Sequence, residues 1–118
     1  MGKKILVVDD SSMMRNMISG ILEGAGHTIV GNAKNGAEGV DSYKFLKPDL
    51  VTMDVTMRVM DGFSAAREIL EYDQDASIVF LSNLDEENYK KDAELLGARG
   101  YVNKHKTREI LSIIDGLE

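Results

Sequence analysis

Apolar residues along this chain gather in short runs that stop abruptly at a polar residue. Ile5-Leu6-Val7-Val8 ends at Asp9-Asp10, and Leu50-Val51-Thr52-Met53 ends at Asp54. Ile78-Val79-Phe80-Leu81 ends at Ser82, and Gly100-Tyr101-Val102-Asn103 ends at Lys104. Runs of this length predict strands buried on both faces. Thr28-Ile29-Val30 predicts a further, shorter strand. The segments between them carry helical periodicity. After Ser12, the predicted N-cap, residues Met14, Met17, Ile18, Ile21, Leu22 and Ala25 share one face, and Gly24 and Gly26 close the segment. Gly20 inside it costs about 1 kcal/mol against Ala, which raises close packing there as an explanation. Asn35 is the predicted cap of a helix carrying Ala37, Val40, Tyr43 and Leu46, and Lys47-Pro48-Asp49 breaks it. The loop 55–61 leads to a helix with Phe63, Ala66, Ile69 and Leu70 inward. Asp85 is the predicted cap of a very polar helix over 86–96, stopped by Gly97. Thr107 is the predicted cap of a last helix striped by Ile110, Leu111, Ile114 and Leu117.

Five βα units follow. Right-handed crossovers place helices on both faces of a parallel sheet, so the predicted class is α/β, a doubly wound five-stranded sheet in a three-layer sandwich. If the strands run parallel, their polar endings meet at one edge, where open α/β sheets bind ligands.

Composition bounds the function. The 118 residues predict one domain, 1–118, with no output domain. Hydrophobic content of 43% and charged content of 29% are ordinary for a soluble globular protein. A net charge of −6 argues against a nucleic-acid surface, which needs a basic stripe. With no cysteine there are no disulfides and no thiolate metal sites, which fits a reducing, cytoplasmic setting. No apolar stretch approaches the roughly 20 residues of a membrane span, and the few apolar residues between Lys3-Lys4 and Asp9 are too short for a signal peptide.

Asp9, Asp10 and Asp54 crowd three negative charges into the predicted crevice, which calls for protonation or a cation. An all-oxygen ligand set without nearby His or Cys suits Mg²⁺. Lys104 offers a compact positive charge for a phosphate, and Ser82 offers a hydroxyl. Metal, amine and hydroxyl around one carboxylate form an arrangement for phosphoryl transfer to Asp54.

At Val8-Asp9-Asp10, Met53-Asp54, Met60-Asp61-Gly62, Leu81-Ser82, Gly97-Ala98, Tyr101 and Lys104 the chain resembles the receiver domains of bacterial two-component response regulators, most closely the stand-alone chemotaxis CheY type. The resemblance spans nearly the whole chain. No single piece is specific, but their order at successive strand ends is. It implies a flavodoxin-like sheet in the order 2-1-3-4-5. It implies that Asp54 accepts phosphate from a sensor histidine kinase. Asp10 and Asp54 would ligate Mg²⁺ directly, Asp9 through water, and Thr56 through its carbonyl. Lys104 would hold a phosphoryl oxygen. Ser82 would swing towards the phosphoryl group and Tyr101 would follow inward, a population shift that alters partner binding. The implied partners are the kinase and a downstream protein such as a flagellar motor switch protein, or a phosphorelay, for a monomer that binds neither nucleic acid nor membrane.

Three positions depart from the family pattern. Arg58 and His105 stand where proline is usual, and Asn83 is bulkier than the usual small residue. His105 favours a trans Lys104–His105 bond and a freer loop, with the lysine less firmly held. Asn83 and Thr56 are placed to modulate access to Asp54.

Plainer explanations exist for each feature. The acids could be solvated strand ends, but position, spacing and the lysine agree against that; the domain could be a degenerate receiver, but its acceptor and metal ligands are intact. His27 and His105 are expected at the surface, and Met13, Met57 and Met60 as gap fillers. A haloacid-dehalogenase-like phosphatase also uses an aspartate on a parallel sheet, yet it needs a second aspartate two residues on, where Thr56 stands. A flavodoxin-like electron carrier needs a Ser/Thr/Gly-rich phosphate loop where Asp9-Asp10 stands.

Overall fold

The computed structural model describes residues 2–83 and 87–117, without the side chains of 87 and 88. Strands β1 (Lys4–Val8), β2 (Thr28–Ala33), β3 (Leu50–Asp54), β4 (Ile78–Ser82) and β5 (Gly100–Asn103) form one parallel sheet in the order β2-β1-β3-β4-β5. Helices α1 (Ser12–Gly24), α2 (Gly36–Leu46), α3 (Gly62–Tyr72), α4 (Glu87–Leu96) and α5 (Glu109–Gly116) connect and cover it. Register aligns Val8 with Met53, Asp54 with Leu81 and Ser82 with Asn103, so the ends of β1, β3, β4 and β5 share one edge.

Both faces of the sheet are packed, which is why the strands are continuous apolar runs. Strand residues alternate between faces. Leu6, Val8, Val51, Met53, Ile78 and Phe80 pack with Val40, Tyr43, Ala65, Ala66, Ile69 and Ala93 of α2, α3 and α4. Ile5, Val7, Leu50, Val79, Leu81 and Val102 pack with Ile18, Leu22, Ile110 and Ile114 of α1 and α5.

Helix boundaries depart from the sequence pattern where side chains compete for the cap. Ser11, not Ser12, caps α1: its Oγ accepts the Met14 N–H at 3.2 Å. Thr107 does not cap α5, which has no side-chain cap; its hydroxyl donates to the Lys104 carbonyl at 2.8 Å instead. Asn35 caps α2 as expected, and Asp61 caps α3 by accepting from the Ser64 N–H at 2.9 Å. The predicted cap Asp85 lies outside the described residues. Gly97, at φ +94°, ends α4 in the left-handed conformation that glycine adopts without strain.

Four expectations about packing fail. Met13 is 75% exposed and fills no gap, and Met17 and Ala25, the residue that follows α1, are exposed. His27 is half-buried rather than free at the surface, accepting the Lys3 N–H on Nδ1 at 3.0 Å. Gly20 has nothing within reach of an added Cβ, so close packing does not explain it.

Gly62 is the opposite case. A Cβ there would collide with the main-chain oxygen of Asp54. Gly62→Ala is therefore expected to cost about 1–3 kcal/mol by overpacking, whereas Gly20→Ala is expected to stabilise by about 1 kcal/mol. Urea unfolding of both variants checks the pair; equal effects of the same sign would contradict it.

Candidate functional site

The sheet topology delivers the predicted side chains to one crevice. Asp9 follows β1, Asp54 ends β3, Ser82 ends β4, and Lys104 follows β5. The Lys104 Nζ lies 3.1 Å from Asp54 Oδ1 and 3.3 Å from Asp9 Oδ2. Asp9 is fully buried and Asp54 is 3% exposed, whereas Asp10 is exposed at the mouth. One carboxylate oxygen from each of the three aspartates falls within 4.8 Å of the others.

Local structure fixes each group. Asp9 Oδ1 accepts the Ser11 N–H at 2.9 Å, which turns the chain from β1 into α1. Its other oxygen, Oδ2, is buried and faces the Lys104 amine at 3.3 Å. Arg15, one turn into α1, reaches back to the Asp9 carbonyl at 2.6 Å. Arg15 does not stand out from the pattern of strand endings; the signal for it is a basic residue six places after Asp9. The Thr56 N–H makes a long contact of 3.4 Å to Asp54 Oδ1, and Thr56 itself is exposed.

Burial first, then the Asp9 charge, pushes the Asp54 carboxyl up to about 7; Asp10 adds to the rise and Lys104 pulls against it. Burial lowers the Lys104 amine, but Asp54 and Asp9 outweigh it and hold the amine above its ordinary value. The crevice therefore carries more negative charge than one amine neutralises. A hard divalent cation fits it: three converging carboxylates, those of Asp9 and Asp54 buried, are the groups such an ion takes.

The loop after Asp54 is tied at two points. The Gly62 N–H donates to the Val55 carbonyl at 2.9 Å, and the Gly36 N–H donates to the Met60 carbonyl at 3.2 Å. Between the ties, Val59 and Met60 adopt φ +50° and +70°, uncommon for any non-glycine residue and strained for a β-branched one. Beside this loop Val55, Thr56, Asp61, Phe63, Arg67 and Tyr89 line an open groove of about 320 Å³.

On the other side, the Tyr101 hydroxyl donates to Ser82 Oγ at 2.6 Å, and Ser82 Oγ donates to the Asn83 carbonyl at 3.0 Å. Tyr101 is half-buried and Asn83 is exposed. Past β5 the chain forms a 3-10 turn, Lys104–Lys106, and no peptide bond is cis among the described residues. The His105 N–H donates to Asn103 Oδ1 at 2.8 Å, and Lys104 is engaged by two carboxylates.

The family model for the response regulator receiver domain matches residues 5–115. This chain belongs to that family. The receiver domain is 42% identical over 104 residues to the chemotaxis protein CheY of Thermotoga maritima, covering 88% of this chain and 87% of that one. It is 44% identical over 108 residues to the CheY of Treponema pallidum, covering 90% and 75%. Among solved structures it is similar to the CheX-CheY-BeF3-Mg+2 complex from Borrelia burgdorferi, with a TM-score of 0.89, 31% identity and coverage of 97% and 87%. It is also similar to the response regulator domain of Thermotoga maritima CheB, with a TM-score of 0.90, 29% identity and coverage of 98% and 96%. No helix among the described residues is long and apolar enough to cross a membrane.

The raised Asp54 carboxyl makes the metal-free receiver domain sensitive to pH. A carboxyl that titrates higher folded than unfolded contributes stability at low pH, and this is lost as pH rises through about 7. In EDTA at pH 8, Asp54→Asn is expected to raise the melting temperature by about 5 °C, and the advantage should narrow as pH falls towards 4. Calorimetry across that range tests it; a variant less stable than wild type at pH 8 would refute the charge-crowding account.

Proposed function

We propose that this receiver domain is a phospho-accepting switch, with Asp54 as the acceptor and a sensor histidine kinase as the donor. The observation that carries this reading is a buried Asp54 carboxylate paired at 3.1 Å with the Lys104 amine inside a cluster of three aspartates. Asp9, Asp10 and Asp54, with the Thr56 carbonyl, would hold Mg²⁺. When bound, that ion supplies charge neutralisation at the acceptor and the phosphoryl oxygens.

An oxygen of Asp54 forms the new P–O bond as the donor's P–N bond breaks, and the electron pair leaves on the imidazole nitrogen. Lys104 then exchanges its contact with the acceptor oxygen for one with a phosphoryl oxygen, so positive charge stays where negative charge builds up. Ser82 can release the Asn83 carbonyl and donate to the phosphoryl group. The Tyr101 hydroxyl, already bonded to Ser82, follows that movement. The difference in contacts between the two states biases the surface around Tyr101 and so the affinity for a partner.

Similarity to CheY proteins favours a chemotaxis role, with a flagellar motor switch protein as the kind of target, and a monomer that acts by docking. Passing the phosphate onward in a relay uses the same site. In neither role does the domain process a substrate other than its own phosphoryl group.

Incubation with acetyl phosphate and Mg²⁺ is expected to label the protein at Asp54 in an acid-stable, base-labile form. Labelling should vanish in Asp54→Asn and in EDTA. It should fall by about 10²-fold in Lys104→Ala, the scale for removing one charge-stabilising donor. Mass-spectrometric mapping to Asp9 or Asp10, or labelling without divalent cation, would overturn the assignment.

Access is a separate expectation. Asn83 is exposed beside Ser82, and truncating it should admit both donor and water. Asn83→Ala is expected to speed both gain and loss of phosphate by a few-fold. Unchanged rates in both directions would show that Asn83 does not crowd the site.

A further inference from the structure

We propose that Asn103 and Thr107 are positioning residues for the Lys104 amine, together gripping the single peptide unit that follows it. This rests on the reading of Lys104 as the group that holds a phosphoryl oxygen.

The sheet itself stops short of the lysine. The ladder between β4 and β5 ends with Ser82 opposite Asn103, so Lys104 is the first residue beyond the strand. Its stem has four rotatable carbons, and the amine is placed no better than the backbone that bears it. The peptide joining Lys104 to His105 has two polar ends, and each is held by a side chain. Its N–H, belonging to His105, donates to Asn103 Oδ1 at 2.8 Å. Its C=O, belonging to Lys104, accepts from Thr107 Oγ1 at 2.8 Å. One residue just before the lysine and one three places after it thus fix the orientation of a single plane.

Two further facts point to this plane as the purpose of the arrangement. Thr107 is 5% exposed and directs its hydroxyl back to Lys104, while α5 begins two residues later with no side-chain cap. A threonine serving helix stability would be expected at that cap. The Asn103 bond also needs an N–H at position 105, which His105 supplies and a proline would not. This chain has residue 105 and residue 103 matched to one another. The outcome is an amine within 3.3 Å of both Asp9 and Asp54 despite a turn built only from polar residues.

The test uses the full chain with acetyl phosphate as donor, Mg²⁺ titration in parallel, and beryllofluoride as a phosphoryl analogue. Asn103→Ala and Thr107→Val each remove one grip; Asn103→Asp and Thr107→Ser retain the acceptor or the hydroxyl. The truncating variants are expected to lower the phosphorylation rate at saturating donor about tenfold. Beryllofluoride affinity should drop by a similar factor, with Mg²⁺ affinity within twofold of wild type. The conservative variants should recover to within threefold. A general loss of structure would weaken Mg²⁺ binding along with the rest, and would not be rescued by one atom. Thr107→Val keeps the side-chain shape and carries the test should Asn103→Ala fail to fold. Phosphorylation and beryllofluoride binding within twofold of wild type in the truncating variants, alongside an impaired Lys104→Ala, would overturn the positioning role alone. An unimpaired Lys104→Ala would overturn the assignment of Lys104 and the positioning role with it.

Discussion

The structure depends on one unfavourable contact made tolerable by another. Asp9 and Asp54 are both buried at the end of the sheet, and two carboxylates so placed repel and lack solvent. The Lys104 amine between them is what lets the edge close. A buried ion pair of this kind is weak evidence for stability, because desolvation offsets much of the attraction. Its value lies in leaving the crevice short of positive charge, and the raised Asp54 carboxyl is the trace of that shortage. The sheet topology, the caps after β1 and the turn after β5 all serve to bring these three groups together.

Much of this was legible in the chain because it depends on period and order. The strand runs are apolar on both faces because helices cover both faces, so a simple hydrophobic run was enough to find them. The polar residue ending each run gave the site. What was not legible was which of two adjacent hydrogen-bonding residues would take a given partner. Ser11 outcompetes Ser12 for the cap of α1 because the Asp9 carboxylate has already turned the backbone at Ser11. Thr107 is drawn away from α5 by the Lys104 carbonyl. Such outcomes turn on tertiary contacts that no local pattern encodes. The exposed Met17 misleads for a related reason: helical spacing shows which residues share a face, not how wide the buried stripe is.

The residues that depart from the family pattern change how the site is built more than what it contains. A histidine after the lysine suggests a loose loop if only proline's stiffness is considered. The structure replaces that stiffness with two hydrogen bonds to one peptide. Arg58 stands in a loop whose conformation is held at Val55 and Met60 by backbone bonds, so its identity carries little of the geometry.

Those ties have a consequence for how the chain tolerates changes in length. Gly62 is pressed against the Asp54 carbonyl, and Gly36 against the Met60 carbonyl, with no room for a side chain at either. The seven residues 55–61 are therefore a strap cut to measure between two fixed buckles. Single replacements at the exposed Arg58 and Val59 leave the buckles alone. Inserting or deleting one residue would pull the end of β3 and the start of α3 out of step, and the acceptor carboxylate with them. In a library of loop variants positions 58 and 59 should accept many letters, and the segment almost no change in their number.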